Sequence, residues 1–128
     1  METKKILAIE DDAFLLSLVA DKLIAAGFSV LTANTGKDGI EKSKKEHPQL
    51  ILLDIMLPDK NGFDILKELK DDPETKGIPV IILSNLGGHD EIEKGVTLGA
   101  TSYLIKSNIL PQEIAEAAQE QLLKHSAQ

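Results

Sequence analysis

The chain predicts an α/β fold: a five-stranded parallel sheet, doubly wound by helices on both faces in the (βα)5 flavodoxin-like manner. Short β-rich apolar runs alternate strictly with longer segments of helical periodicity, five of each. The runs are too brief for helices and read as near-continuous apolar stretches, as strands buried on both faces do. Parallel strands need crossovers, and right-handed crossovers return each strand to the same sheet.

Each element has its own signal. Lys5 to Ile9 is an apolar run that stops at Glu10-Asp11-Asp12. From Ala13 to Ala26 the residues Phe14, Leu15, Leu18, Val19 and Leu23 recur at helical spacing, and Gly27 closes the segment. Phe28 to Thr32 is the second strand. Thr35 with Asp38 has capping-box spacing for a helix ending near Glu46, which His47-Pro48 stops. Leu50 to Leu53 is the third strand, with Asp54 at its end. After the Pro58 loop, Asn61 caps a helix through Leu69, and Ile78 to Leu83 is the fourth strand, followed by Ser84-Asn85-Leu86-Gly87-Gly88. Asp90, with Glu93 at the third position, caps a helix that Gly99 ends, and Ser102 to Ile105 is the fifth strand. Pro111 opens the last helix, with the stripe Ile114, Ala117, Ala118 and Leu122. Gly95, inside the fourth helix, either lowers its helicity so that it can move or permits close packing.

At 128 residues the expectation is one domain, 1–128, with one core and one site. The net charge is -7, and all 14 basic residues are Lys, which argues against a direct nucleic-acid surface. There is no cysteine, hence no disulfide framework or thiolate metal site. No signal-peptide pattern opens the chain, and no apolar run approaches the roughly 18 residues of a membrane span, so a cytoplasmic protein is expected.

The residues at the strand ends carry the chemistry. In a doubly wound sheet the ligand site lies beyond the carboxyl ends of the strands, and Glu10, Asp11, Asp54, Ser84 and Lys106 all stand there. Clustered carboxylates repel one another unless a cation relieves them, and an all-oxygen set favours Mg2+. The same set can make one carboxylate a nucleophile toward phosphorus while the metal and a Lys neutralise the transferring oxygens. Asp54, standing singly at the centre of the edge, is the natural acceptor; Lys106 and Ser84 flank it to pair with and hydrogen-bond the phosphoryl oxygens. Each residue has a plainer reading: Asp12 as a helix cap, Ser84 as a loop hydroxyl, Lys106 as a solvated cation. Their joint placement at four strand ends favours the functional one. Gly87-Gly88 matches no phosphate-loop pattern and reads as a flexible turn, and His47, His89 and His125 are scattered.

Together these residues resemble the receiver domain of bacterial two-component response regulators, the CheY-like family, over essentially the whole chain. I-L-A-I-E-D-D at 6 to 12 resembles the family's first strand and acidic pair, L-L-D-I-M-L-P-D-K-N-G at 52 to 62 its acceptor loop, V-I-I-L-S-N at 80 to 85 its switch-hydroxyl strand, and G-A-T-S-Y-L-I-K at 99 to 106 its lysine strand. Each motif is weak alone; four in order are specific. The resemblance implies strand order 2-1-3-4-5, Asp54 as phosphoacceptor, and Glu10, Asp11, Asp54 and the Met56 backbone carbonyl as Mg2+ ligands. Pro58 and Gly62 would shape the loop. It also implies Ser84, Lys106 and Tyr103 as the phosphoryl-binding and switch residues, and Met56 and Leu86 as the positions flanking the hydrolytic water. Two positions depart from the family pattern: Asn85 stands where a small residue is usual, and Ser107 where the family has proline. The Lys106-Ser107 peptide is therefore expected to be trans, since a cis bond without proline costs about 2.5 to 4 kcal/mol.

The function implied is a signalling switch that catalyses only its own phosphorylation and dephosphorylation. Its partners would be a histidine kinase or histidine phosphotransfer protein and a downstream protein at the surface of the fourth helix, fifth strand and fifth helix, with the chain a monomer or a phosphorylation-dependent dimer. A flavodoxin-like cofactor binder is the rival from another class, but one Tyr and no Trp leave little to stack on a flavin. A pseudo-receiver is disfavoured because every expected acid and the Lys are present.

Overall fold

The central strands are apolar on both faces and are covered on both faces. In the computed structural model, which describes residues 3–126 with side chains through Lys124, the strands are β1 (Lys5–Ile9), β2 (Ser29–Ala33), β3 (Leu50–Leu53), β4 (Val80–Ser84) and β5 (Ser102–Ile105). The helices are α1 (Ala13–Ala25), α2 (Gly36–Glu46), α3 (Gly62–Asp71), α4 (His89–Thr97) and α5 (Pro111–Ser126), and a short 3-10 helix covers Lys106–Asn108. All pairings are parallel, in the order β2-β1-β3-β4-β5 that the resemblance implied.

Alternate residues of each strand feed two cores. Ile6, Ala8, Leu50, Leu52, Ile81 and Leu83 pack with Val19 and Leu23 of α1 and Ile114, Ala118 and Leu122 of α5. Leu7, Ile9, Ile51, Leu53, Val80 and Ile82 pack with Ile40 of α2 and Phe63, Ile65, Leu66 and Leu69 of α3. Full burial of each Val, Leu, Ile or Phe side chain among them contributes about 1.5–3 kcal/mol, and so the sheet is a firm base for whatever stands on its edge.

Several boundaries differ from the sequence expectation, each for a local reason. The second strand begins at Ser29, because Phe28 N–H still donates to Leu23 carbonyl and Gly27 N–H to Ile24 carbonyl, a Schellman closure with Gly27 at φ +100°. The fourth strand begins at Val80: Ile78 N–H is spent on a turn to Thr75, and Pro79 has no N–H to offer a ladder. Helix α3 runs on to Asp71. Helix α4 is capped at Gly88, with no side-chain cap bond, and Asp90 sits inside its first turn. The buried stripe of α1 is shifted from the expected one: Phe14 and Leu18 are exposed, while Leu16 is half-buried against the core. In α5, Ala115 is buried and Ala117 only half-buried. Thr35 caps α2 by accepting Asp38 N–H at 3.1 Å, and Asn61 caps α3 by accepting Phe63 N–H at 2.8 Å, both as expected. Gly95 is buried, and a Cβ there would lie 2.7 Å from Ile82 Cδ1 and 3.0 Å from Tyr103 Cδ2, which favours the close-packing reading.

The loop between β3 and α3 is held at three points. Met56 and Asn61 form an isolated antiparallel bridge. Asp59 reaches across to the start of α2, accepting Gly36 N–H at 2.8 Å and Lys37 N–H at 3.0 Å. Gly62 lies so close to β3 that a Cβ would fall 2.4 Å from Ile55 Cα and 2.6 Å from Asp54 carbonyl oxygen. Because those neighbours are backbone, Gly62→Ala is expected to destabilise the fold by about 1–3 kcal/mol and to lower the melting temperature by several degrees. A thermal melt that does not move would show that the loop yields freely.

Candidate functional site

The site is built on the ends of two adjacent buried strands, β1 and β3. Ile9 pairs with Leu53, so the next residues, Glu10 and Asp54, leave the sheet side by side. Their backbones are fixed there, Asp54 N–H donating to Ile9 carbonyl at 3.0 Å and Glu10 N–H to Ala33 carbonyl at 2.9 Å. Both side chains are buried, whereas Asp11 is exposed. Glu10, Asp11 and Asp54 each offer a carboxylate oxygen, and these oxygens lie within 4.8 Å of one another. Asp12 separates from the group as a helix cap, its Oδ1 accepting Phe14 N–H and Leu15 N–H at 3.1 Å each.

One cation enters the cluster. Lys106 Nζ lies 3.0 Å from Asp54 Oδ2 and 2.6 Å from Glu10 Oε1, and only 16% of its side chain is exposed. Asp54 Oδ1 also accepts Met56 N–H at 3.2 Å, and Glu10 Oε2 accepts Asp12 N–H at 3.0 Å. Glu10 Oε1 is buried, and its close partner is the Lys106 ammonium.

Burial pushes the Glu10 carboxyl up to about 7, with the Asp54 charge adding to the rise and the Lys106 ammonium and Asp12 N–H pulling it back. A carboxyl raised in the fold binds a proton more readily there than when unfolded. Holding Glu10 ionised therefore costs stability that grows as pH rises from 4.5 toward 7. Burial alone would lower the Lys106 ammonium, but its contacts with Glu10 and Asp54 outweigh burial and raise it. Three carboxyl groups against one ammonium leave the cluster short of positive charge, and an all-oxygen set of this kind fits a hard divalent cation.

The remaining candidates stand on the neighbouring strands. Leu53 pairs with Ile82, which sets Ser84 one step beyond the level of Asp54. Ser84 is fully buried, and its Oγ accepts Leu86 N–H at 3.1 Å. The Tyr103 hydroxyl donates to Leu86 carbonyl, and burial pushes its phenol up. Leu86 therefore touches both hydroxyls through its backbone. The Met56 side chain is 60% exposed and that of Leu86 half-buried. Away from the cluster, His47 closes α2 in the left-handed conformation and His89 pairs with Glu93 at 3.4 Å, while the side chain of His125 lies outside the described residues.

Two features escaped the sequence reading. Asp59 ties the loop after Asp54 to α2 across 23 residues, a contact that no local pattern announces. The Lys106-Ser107 peptide is trans, as expected, and Ser107 N–H donates to Asn85 Oδ1 at 3.0 Å. The two departures from the family pattern are thus the two ends of one hydrogen bond.

Residues 6–119 match the family model of the response regulator receiver domain. The polar-differentiation response regulator DivK of Brucella ovis is 32% identical over 115 residues, 88% of this chain and 91% of that protein. The response regulator PleD of Caulobacter vibrioides is 35% identical over 102 residues, 80% of this chain, but the match spans only 22% of PleD. A solved CheY-like receiver domain protein from Methanospirillum hungatei superposes with a TM-score of 0.91 at 26% identity, covering 98% of each chain.

A divalent ion that relieves the cluster must stabilise the fold. With a dissociation constant of about 1 mM, ~10 mM magnesium is expected to add about 1.4 kcal/mol, a rise of a few degrees in the melting temperature. Asp11→Ala should remove most of that rise, and an unchanged magnesium shift in this variant would move the ion away from Asp11.

Proposed function

The chain belongs to the response regulator receiver domain family, and on that premise we propose that it is a phosphoacceptor switch, taking a phosphoryl group from a phosphohistidine donor onto Asp54. The observation that carries this reading is the Lys106 ammonium seated between Asp54 and Glu10 at the sheet edge. A nucleophilic carboxylate needs positive charge beside it as phosphoryl oxygens arrive, and Lys106 is already there.

In the transfer, a carboxylate oxygen of Asp54 attacks phosphorus, a P–O bond forms, and the P–N bond to the donor imidazole breaks, the imidazole taking up a proton as it leaves. Glu10, Asp11, Asp54 and the Met56 carbonyl would hold Mg2+, which when bound neutralises negative charge on the transferring oxygens. Lys106 pairs with one phosphoryl oxygen, and the Ser84 hydroxyl, whose oxygen accepts Leu86 N–H, turns its own O–H to another. Tyr103, now bonded to Leu86 carbonyl, is placed to feel that change. The outcome is a reshaped surface of α4, β5 and α5 for a downstream protein, a local charge event biasing a two-state element. The chain catalyses only its own modification and hydrolysis. A histidine kinase or phosphotransfer protein supplies the group, and the chain works in the cytoplasm as a monomer or a phosphorylation-dependent dimer. Among the described residues no helix is long and apolar enough to cross a membrane.

Incubation with acetyl phosphate or phosphoramidate and magnesium is expected to add a single phosphoryl group by intact mass, with none added in Asp54→Asn or without the metal. Uptake persisting in Asp54→Asn would place the acceptor elsewhere.

The phosphorylated form is expected to be long-lived. Met56 and Leu86 flank the path of the hydrolytic water, and neither side chain can orient water as a carboxylate or amide does. A Met56→Asn, Leu86→Glu double variant, followed by intact mass at fixed magnesium, should lose its phosphoryl group faster than the parent. Equal rates would refute the assignment of these two positions.

A further inference from the structure

The parallel ladder between β4 and β5 ends at the pair Ser84 and Ile105, and the next residue on each strand, Asn85 and Lys106, leaves the sheet. Lys106 opens a 3-10 helix of three residues that has no side-chain cap, and the bond that closes it, from Ile109 N–H to Lys106 carbonyl, is long at 3.5 Å. From this weakly fixed start the lysine side chain runs back across the sheet edge to Asp54 and Glu10. A small swing of its backbone is therefore carried to the ammonium. Ser107 N–H donates to Asn85 Oδ1 at 3.0 Å, a side-chain bond between the two loops immediately beyond the last ladder pair.

We propose that Asn85 is a positioning residue for Lys106: by accepting Ser107 N–H it clasps the loop after β4 to the short helix that carries the lysine, and so aims the ammonium at Asp54. Both Asn85 and Ser107 are exposed, so the bond contributes little to global stability. Its value lies in extending the link between β4 and β5 past the point where backbone pairing stops. A backbone N–H can only donate, which makes the Asn85 carbonyl, and not its amide nitrogen, the atom that faces Ser107. The inference rests on the phosphoacceptor reading above, since it concerns the group that meets the phosphoryl oxygens.

The test compares the parent with Asn85→Ala, which removes the acceptor, and Asn85→Leu, which keeps the bulk without the acceptor. Phosphoryl uptake from phosphoramidate at fixed magnesium is followed by intact mass, and exchange of the Ser107 amide hydrogen is followed by NMR in the unphosphorylated chain. Both variants are expected to take up the group about 3- to 10-fold more slowly, because a small misplacement of a charge-stabilising group is felt in the rate. Ser107 amide exchange should speed up about 10-fold in both, with melting temperatures close to the parent's. Asn85→Asp, which retains an acceptor oxygen, should restore the slow exchange. Uptake equal to the parent's in Ala and Leu would overturn the proposal, as would a Ser107 amide that exchanges equally fast in every form, or a loss of uptake that merely tracks a loss of melting temperature. A parent chain that takes up no phosphoryl group sinks the phosphoacceptor reading and this inference with it. A parent that does so while both variants match it sinks this inference alone.

Discussion

Two carboxylates forced together at the ends of adjacent buried strands are the constraint on which the site depends. The register of β1 against β3 leaves Glu10 and Asp54 no choice but to emerge side by side, and both are removed from water. Ions in that position are costly unless paired, and removing one partner of a buried pair typically costs about 3–5 kcal/mol. Lys106 supplies the pairing from the far end of β5, so a single long side chain joins the ends of three strands. The compensation is incomplete. Glu10 is still pushed up to about 7, and what is left over is a demand for further positive charge, met by a proton or by a metal ion.

That demand is also what makes the arrangement chemically useful on the proposed reading. A fully neutralised cluster would be a structural ion pair and nothing more. Here Asp54 has one oxygen on Lys106 and the other on Met56 N–H, both charge-assisted bonds that hold the carboxylate in a defined orientation at the edge. Orientation of a nucleophile before its partner arrives is a large part of what a protein can contribute to phosphoryl transfer.

Most of this was legible in the chain because it follows from strand ends. A buried parallel strand is an apolar run, the first polar residues mark its end, and a doubly wound sheet gathers those ends on one edge, so Glu10, Asp11, Asp54, Ser84 and Lys106 could be placed without coordinates. What was not legible depends on contacts between distant loops. Nothing near Asp59 in sequence points to the start of α2, and nothing in Asn85 or Ser107 taken singly shows that each is the other's partner. The misplaced starts of β2 and β4 have a different cause. Phe28 and Ile78 are as apolar as the strand residues beside them, and only the helix closure at Leu23 and the turn at Thr75, which take their N–H groups, exclude them from the ladder. Phe14 misled because helical spacing reports a stripe without saying which edge of it meets the sheet.

The two halves of the site are held with unequal firmness, and this asymmetry determines where a change can go. On the acceptor side, the loop after Asp54 is fixed by the Met56–Asn61 bridge, by Asp59 on α2 and by the backbone contact at Gly62. On the responding side, α4 begins without a side-chain cap and buries only Gly95, and β5 is half-buried along its whole length. The bonds around Ser84, Leu86, Tyr103, Asn85 and Ser107 are few and run through loops. Added charge at Asp54 cannot be accommodated by moving β1 or β3, because their neighbours are close-packed core. On the proposed reading it would be met by the Ser84 hydroxyl, the Lys106 ammonium and the segments attached to them. On that reading, a rigid acceptor beside a lightly held responder would send a local charge event toward α4 and β5 rather than into the core, without any special flexibility in the sheet.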